Sequence, residues 1–160
     1  TRDAIAKGNE AIQSTVAGDT DATGEDSKDN SLSGNDAAKD DSMPSGYRVF
    51  INGGRVATEL DALAWAKKAV DLGAGEIVLN SIDADGTKAG YELTLTKMIA
   101  DNVKVPVIAS GGGGTVDHMA DVLTKANADA ALIATMVHSG RYTVNSIKEK
   151  KKKKGIPVRH

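Results

Sequence analysis

The stretch VPVIASGGGGTVDH, Val105 to His118, decides how this chain is read. Val105 to Ala109, with Pro106 near its start, is a short apolar run of the kind that forms a fully buried strand. Ser110 and four consecutive glycines, Gly111 to Gly114, follow it directly. Thr115 then offers an N-cap, and Asp117 places a negative charge in the first turn of a helix. A strand, a glycine turn and a helix N-terminus form a ready anion site, because glycine lets backbone N–H groups approach a phosphate and the helix end carries partial positive charge. A tight turn without a ligand has the same local signature.

Working outward, strand and helix patterns alternate on both sides. Glu76 to Asn80 (EIVLN) reads as a strand, followed by the polar loop SIDADGTKAG. Tyr91 to Ala100 reads as a helix with Leu95, Met98 and Ile99 inward. Beyond the glycine turn, Met119, Val122, Leu123 and Ala126 share one helix face. Ala128 to Thr135 is a last buried strand, and Thr143 caps a final helix whose lysine-rich end suits the negative pole of the helix dipole. Upstream, Tyr47 to Asn52 is a strand candidate closed by Gly53-Gly54, and Thr58 is expected to cap a helix with Asp61 at its third position. Such alternation predicts an α/β layer or barrel of parallel strands joined by crossovers, with ligands at the strand C-terminal ends.

The N-terminal part differs. Residues 1–17 read as the end of a helix, stopped at Gly8-Asn9, and a weak strand over Ala11 to Ala17. From residue 18 to 46 Leu32 and Met43 are the only large apolar side chains, so this acidic, low-complexity stretch is expected to be a disordered or loosely held insert. Residues 1–46 hold ten Asp and Glu against four Lys and Arg, which leaves the remainder slightly basic within a net charge of −2. That balance speaks against a nucleic-acid partner. No Cys is present, which removes thiolate catalysis and Cys-based zinc sites. No apolar run is long enough to span a membrane. The expectation is a cytoplasmic protein without metal or other cofactor and, since it begins at Thr1, a fragment.

Three loops carry chemistry: NSIDADGTKAGY with Asp83 and Asp85, the glycine turn after Ser110, and ATMVHSG with Ala134 and Thr135 at a strand end. Their convergence on one face predicts a phosphate site. The blocks GAGEIVLNSIDADGTKAGYEL, VPVIASGGGGTVDHMADV and ADAALIATMVH, in this order and spacing, closely resemble the cyclase subunit or domain of imidazole glycerol phosphate synthase. The likeness runs from about Tyr47 to Arg159 and corresponds to the C-terminal half of that family's (β/α)8 barrel, about four βα units. The paralogous isomerase of the same pathway shares the half-barrel pattern, and a phosphate-binding half barrel without catalysis is the other alternative.

The resemblance implies a lyase of histidine biosynthesis. Such enzymes use ammonia from a glutaminase subunit or fused domain to turn a phosphoribulosyl aminoimidazole carboxamide into imidazole glycerol phosphate and aminoimidazole carboxamide ribotide. It implies a substrate-phosphate site at Asp85, Gly86, Gly112, Ala134 and Thr135, with Asn80, Asp83, Ser110 and Gly111 facing the substrate and Glu76 in a ring that gates ammonia. Many members have SGGAG where this chain has SGGGG, and Ser where Thr135 stands. The family's acid–base pair is two aspartates ending strands one and five. Strand one is expected upstream of Thr1. With strand five placed at Ala11 to Ala17, Ala17 takes the aspartate's position and Asp19 is the nearest candidate.

Overall fold

The computed structural model describes residues 36–159. Six strands form one sheet in the order β3-β2-β1-β4-β5-β6. They are β1 (Asp36–Lys39), β2 (Tyr47–Ile51), β3 (Val56–Asp61), β4 (Ile77–Ser81), β5 (Val107–Ser110) and β6 (Ala130–Ala131). Parallel pairing links β1 to β4, β4 to β5 and β5 to β6, whereas β1–β2 and β2–β3 are antiparallel. Helices α1 (Ala62–Asp71), α2 (Leu93–Ala100), α3 (Val116–Lys125), α4 (Thr135–His138) and α5 (Val144–Lys153) complete the described elements.

The parallel βα units follow the expected alternation. Glu92 caps α2, its carboxylate accepting from the Leu95 N–H, so the helix starts two residues later than its apolar spacing suggests. Thr115 caps α3 and accepts from the His118 N–H at 3.2 Å. Thr143 and Ser146 close a reciprocal capping box at the start of α5. The core lies between sheet and helices in two clusters. One centres on Leu79, Leu95, Ile99 and Val107, and the other on Ala109, Val116, Met119, Val122 and Ile147. Leu95, Val107 and Val122 are fully buried, each stabilising the fold by about 1.5–3 kcal/mol.

The structure departs from the sequence expectations in four places. Asp36–Lys39, within the stretch read as an insert, is the strand beside β4. Ala11 to Ala17, expected there as strand five, and Asp19 lie outside the described residues. Tyr47–Ile51 is a strand, but an antiparallel one. Seven residues separate it from β1, too few for the crossover that a parallel neighbour needs. Thr58 lies in β3 instead of capping a helix, and its hydroxyl donates to the Val49 carbonyl at 2.7 Å. Asp61 is the cap of α1, accepting from Ala64 N–H at 2.9 Å and from Ser45 N–H at 2.7 Å. The last strand shrinks to Ala130–Ala131, because Ala134 turns the chain into α4 and its carbonyl accepts from Val137 and His138.

Arg48 fastens the β1–β2–β3 excursion. It donates to Asp40 at 2.6 Å, to the Thr58 carbonyl at 2.6 Å and to Glu59 at 3.0 Å. Hydrogen bonds from Ser42, and then from Arg48, hold the Asp40 carboxyl down at about 2.

Candidate phosphate-binding site

Register places a polar row across three parallel strands, joining Asp36, the first described residue of β1, to the C-terminal ends of β4 and β5. Asp36 is level with Asn80, and Asn80 with Ser110. Residues level in a parallel ladder share a face of the sheet. The Asn80 side-chain amide donates to the Asp36 carboxylate at 2.9 Å. Just beyond this row, the Asp85–Lys88 turn, Ser110 to Gly113 and Leu132 to Thr135 line one small pocket.

The glycine turn is packed on every side. A Cβ on Gly111 would lie 2.7 Å from the Ser81 carbonyl, and one on Gly112 would strike the Gly90 carbonyl. Gly112 also has φ +87°, and its carbonyl accepts from the Gly90 N–H at 2.9 Å. A Cβ on Gly113 would meet the Tyr91 hydroxyl, which donates to the Leu132 carbonyl at 2.8 Å. Tyr91 therefore joins all three pocket loops, and burial pushes its phenol up to about 12. His118 supports the turn from below, its Nδ1 accepting from the Gly114 N–H at 3.3 Å. The rest of the pocket lining offers backbone N–H, the Ser110 and Thr135 hydroxyls and the exposed Lys88, beside the Asp85 carboxylate, one oxygen of which is taken up by the Gly86 N–H. The N–H groups opening α4 have no partner within that helix. This donor set suits a phosphate better than a cation.

Residues 12–143 match the family described as histidine biosynthesis protein. The chain belongs to that family. It is 60% identical over 121 residues to the imidazole glycerol phosphate synthase subunit HisF of Desulfatibacillum aliphaticivorans, covering 76% of this chain and 46% of that protein. It is 64% identical over 117 residues to the subunit of the same name from Desulforapulum autotrophicum, covering 73% and 45%. The match to that of Syntrophobacter fumaroxidans is 61% over 117 residues, covering 73% and 45%. The chain thus spans about half the length of the curated relatives it matches. This histidine biosynthesis protein family has the (β/α)8 barrel fold, and the open, mainly parallel sheet described here is a part of one.

Within this family member, Asp85, Gly86, Ser110, Gly111, Gly112, Ala134 and Thr135 line one pocket. Asp85 accepts from its own neighbour, Gly86 N–H, at 2.9 Å, which shapes the turn. Asn80 lies one strand level below and faces Asp36. Asp83 is turned toward β1, where one carboxylate oxygen accepts from the Lys39 N–H at 2.7 Å. Glu76 precedes β4, about 13 Å along the strand from Asn80, on the rim of a cavity under α1. Three residues were missed by sequence reasoning: Asp36, Lys88 and Tyr91. Asp36 sits in a four-residue strand, DAAK, with no β-branched or aromatic residue to reveal it. Lys88 and Tyr91 stand inside a quoted loop, and Lys88 has the left-handed φ of +59° that marks a constrained turn.

Proposed function

We propose that this chain is the C-terminal half of the cyclase subunit of imidazole glycerol phosphate synthase. In this reading it works with an upstream half barrel that supplies the second substrate-phosphate site and the strand-one aspartate. The pocket holds one phosphate of a phosphoribulosyl aminoimidazole carboxamide through the backbone N–H groups of Gly112, Ala134 and Thr135 and the Thr135 hydroxyl, with the Asp85-Gly86 turn, closed by its own hydrogen bond, forming one wall. Asp36, not Asp19, is the strand-five carboxylate that moves a proton as ammonia adds and the imidazole ring closes. Asn80 orients it through the 2.9 Å hydrogen bond, and Ser110 and Gly111 face the same substrate. Imidazole glycerol phosphate and aminoimidazole carboxamide ribotide leave. Glu76, at the far end of β4, belongs to the ammonia entrance, and a glutaminase docked there supplies the ammonia. The enzyme is assigned to the cytoplasm, and no described helix is long and apolar enough to cross a membrane.

One observation carries the reading: a polar row, Asp36–Asn80–Ser110, reaches through Ser110 into a pocket lined by the loops that follow β4, β5 and β6, the side of the sheet where barrel enzymes do their chemistry. The test is ammonium-dependent formation of imidazole glycerol phosphate by the full-length protein carrying this chain. Asp36→Asn should lower kcat at least ~100-fold, within the span of a lost general acid–base group, and leave KM within a few-fold. Turnover that survives this substitution would remove Asp36 from the chemistry. No turnover in the parent protein, with phosphate still bound by the chain, would favour the alternative of a binding half barrel.

A further inference from the structure

β1 carries Asp36, yet it is a short and weakly held strand on the β4 side. Only two register pairs join it to β4, Asp36↔Asn80 and Ala37↔Ser81. The Ile82 N–H donates to the Ala37 carbonyl at 3.0 Å, and one position further the ladder ends because the chain after Ile82 turns away. At that point a side chain takes the place of a strand carbonyl, and Asp83 Oδ2 accepts from the Lys39 N–H at 2.7 Å. A carboxylate acceptor makes this bond stronger than the neutral one it replaces. The turn that follows Asp83 is held separately. Asp85 N–H donates to the Ser81 carbonyl at 2.9 Å and Ala84 N–H to the Ser81 hydroxyl at 3.3 Å, so the turn reaching Asp85 and Gly86 is fixed against β4 without help from Asp83.

We propose that Asp83 is a positioning residue that sets the Asp36 strand against the phosphate loop, and that it works through the Lys39 N–H instead of touching the substrate. The proposal rests on the cyclase reading above. Its physical content is a separation of roles. Removing the Asp83 carboxylate frees Lys39 at the C-terminal end of β1, three residues beyond Asp36, so the four-residue strand can shift along β4 and carry Asp36 out of place relative to a substrate still anchored by its phosphate. Misplacement of a reacting group by about 1 Å can cost ~100-fold in rate, while binding through untouched loops persists.

The experiment compares Asp83→Ala and Asp83→Asn in the full-length protein by ammonium-driven turnover and by amide hydrogen exchange at Lys39. Asp83→Ala should lower kcat ~10- to 100-fold with KM within about twofold, and Lys39 should exchange faster. Asp83→Asn keeps an oxygen acceptor and should return kcat to within several-fold of the parent, even if the alanine variant folds poorly. A raised KM with kcat preserved would mean direct substrate contact and would overturn the proposal, as would unchanged kinetics in both variants. If the parent makes no product, the cyclase reading fails by itself. Lys39 exchange then decides the tie, and an unchanged rate in Asp83→Ala overturns it.

Discussion

Replacing Tyr91 by Phe removes a single oxygen from the point where the three pocket loops meet. At neutral pH the loss is one neutral hydrogen bond, to the Leu132 carbonyl at 2.8 Å, worth about 1 kcal/mol. Leu132 is 47% exposed, so water can take over the orphaned carbonyl, which keeps the cost at that level. The alkaline range reverses the order. Burial raises the Tyr91 phenol from 10.0 to about 12, and the side chain is 7% exposed, so the folded state holds the neutral form. A raised folded pKa contributes stability that is intact below pH 10 and is lost as pH climbs from 10 through 12. Two pH units at about 1.36 kcal/mol each give about 2.7 kcal/mol in all. Phenylalanine has no such loss. Urea unfolding from pH 8 to 11.5 should therefore find Tyr91→Phe less stable by about 1 kcal/mol at pH 8, equal to the parent near pH 11, and more stable above it. A stability difference that stays constant across that range would refute the reasoning, because it would mean that the phenol ionises as freely in the fold as in the unfolded chain.

Two further outcomes concern the glycine turn. Gly112→Ala puts a Cβ against the Gly90 carbonyl at φ +87°, so unfolding free energy should fall by about 2–4 kcal/mol and phosphate titration by ³¹P NMR should find no binding. Gly113→Ala meets the Tyr91 hydroxyl and, behind it, the ring carbon Cζ at 2.7 Å, so its cost should be about 1–3 kcal/mol and should shrink only in part in a Tyr91→Phe background, a coupling that a double-mutant cycle measures.

What the sequence revealed depended on how locally each feature is encoded. The helices α2, α3 and α5 were legible because apolar spacing and a capping residue lie within one stretch of ten, and β4 and β5 because a buried parallel strand is a continuous apolar run. The β1–β2–β3 excursion was not. Whether Tyr47–Ile51 runs parallel or antiparallel depends on the length of the connection to β1, and β1 itself is invisible to propensity. Thr58 and Asp61 are both plausible caps in isolation. Only the pairing of β3 with β2 places Thr58 in the strand and leaves Asp61 to start α1. The same division runs through the site. Its pocket is built from turns whose glycines and aspartates declare themselves. Asp36 acquires its meaning only from standing level with Asn80 on the next strand.

The glycine run has a structural role that its local signal does not carry. Four glycines suggest backbone exposed for an anion, and Gly111 and Gly112 do line the pocket. Yet each glycine is also required by a different neighbour: the Ser81 carbonyl, the Gly90 carbonyl, the Tyr91 hydroxyl and the Lys88 carbonyl. All four of those neighbours lie in the stretch Ser81 to Tyr91 that carries Asp85 and Gly86. The turn is thus the surface on which the SIDADGTKAGY loop is seated, and the donors of both loops are fixed relative to each other before any ligand arrives. Such preorganisation lowers the ordering cost of binding a phosphate. It also ties the pocket to Ser81, on the strand beside β1, so the anchor for the substrate and the carboxylate proposed to act on it are held by one stretch of backbone, Asn80 to Asp83.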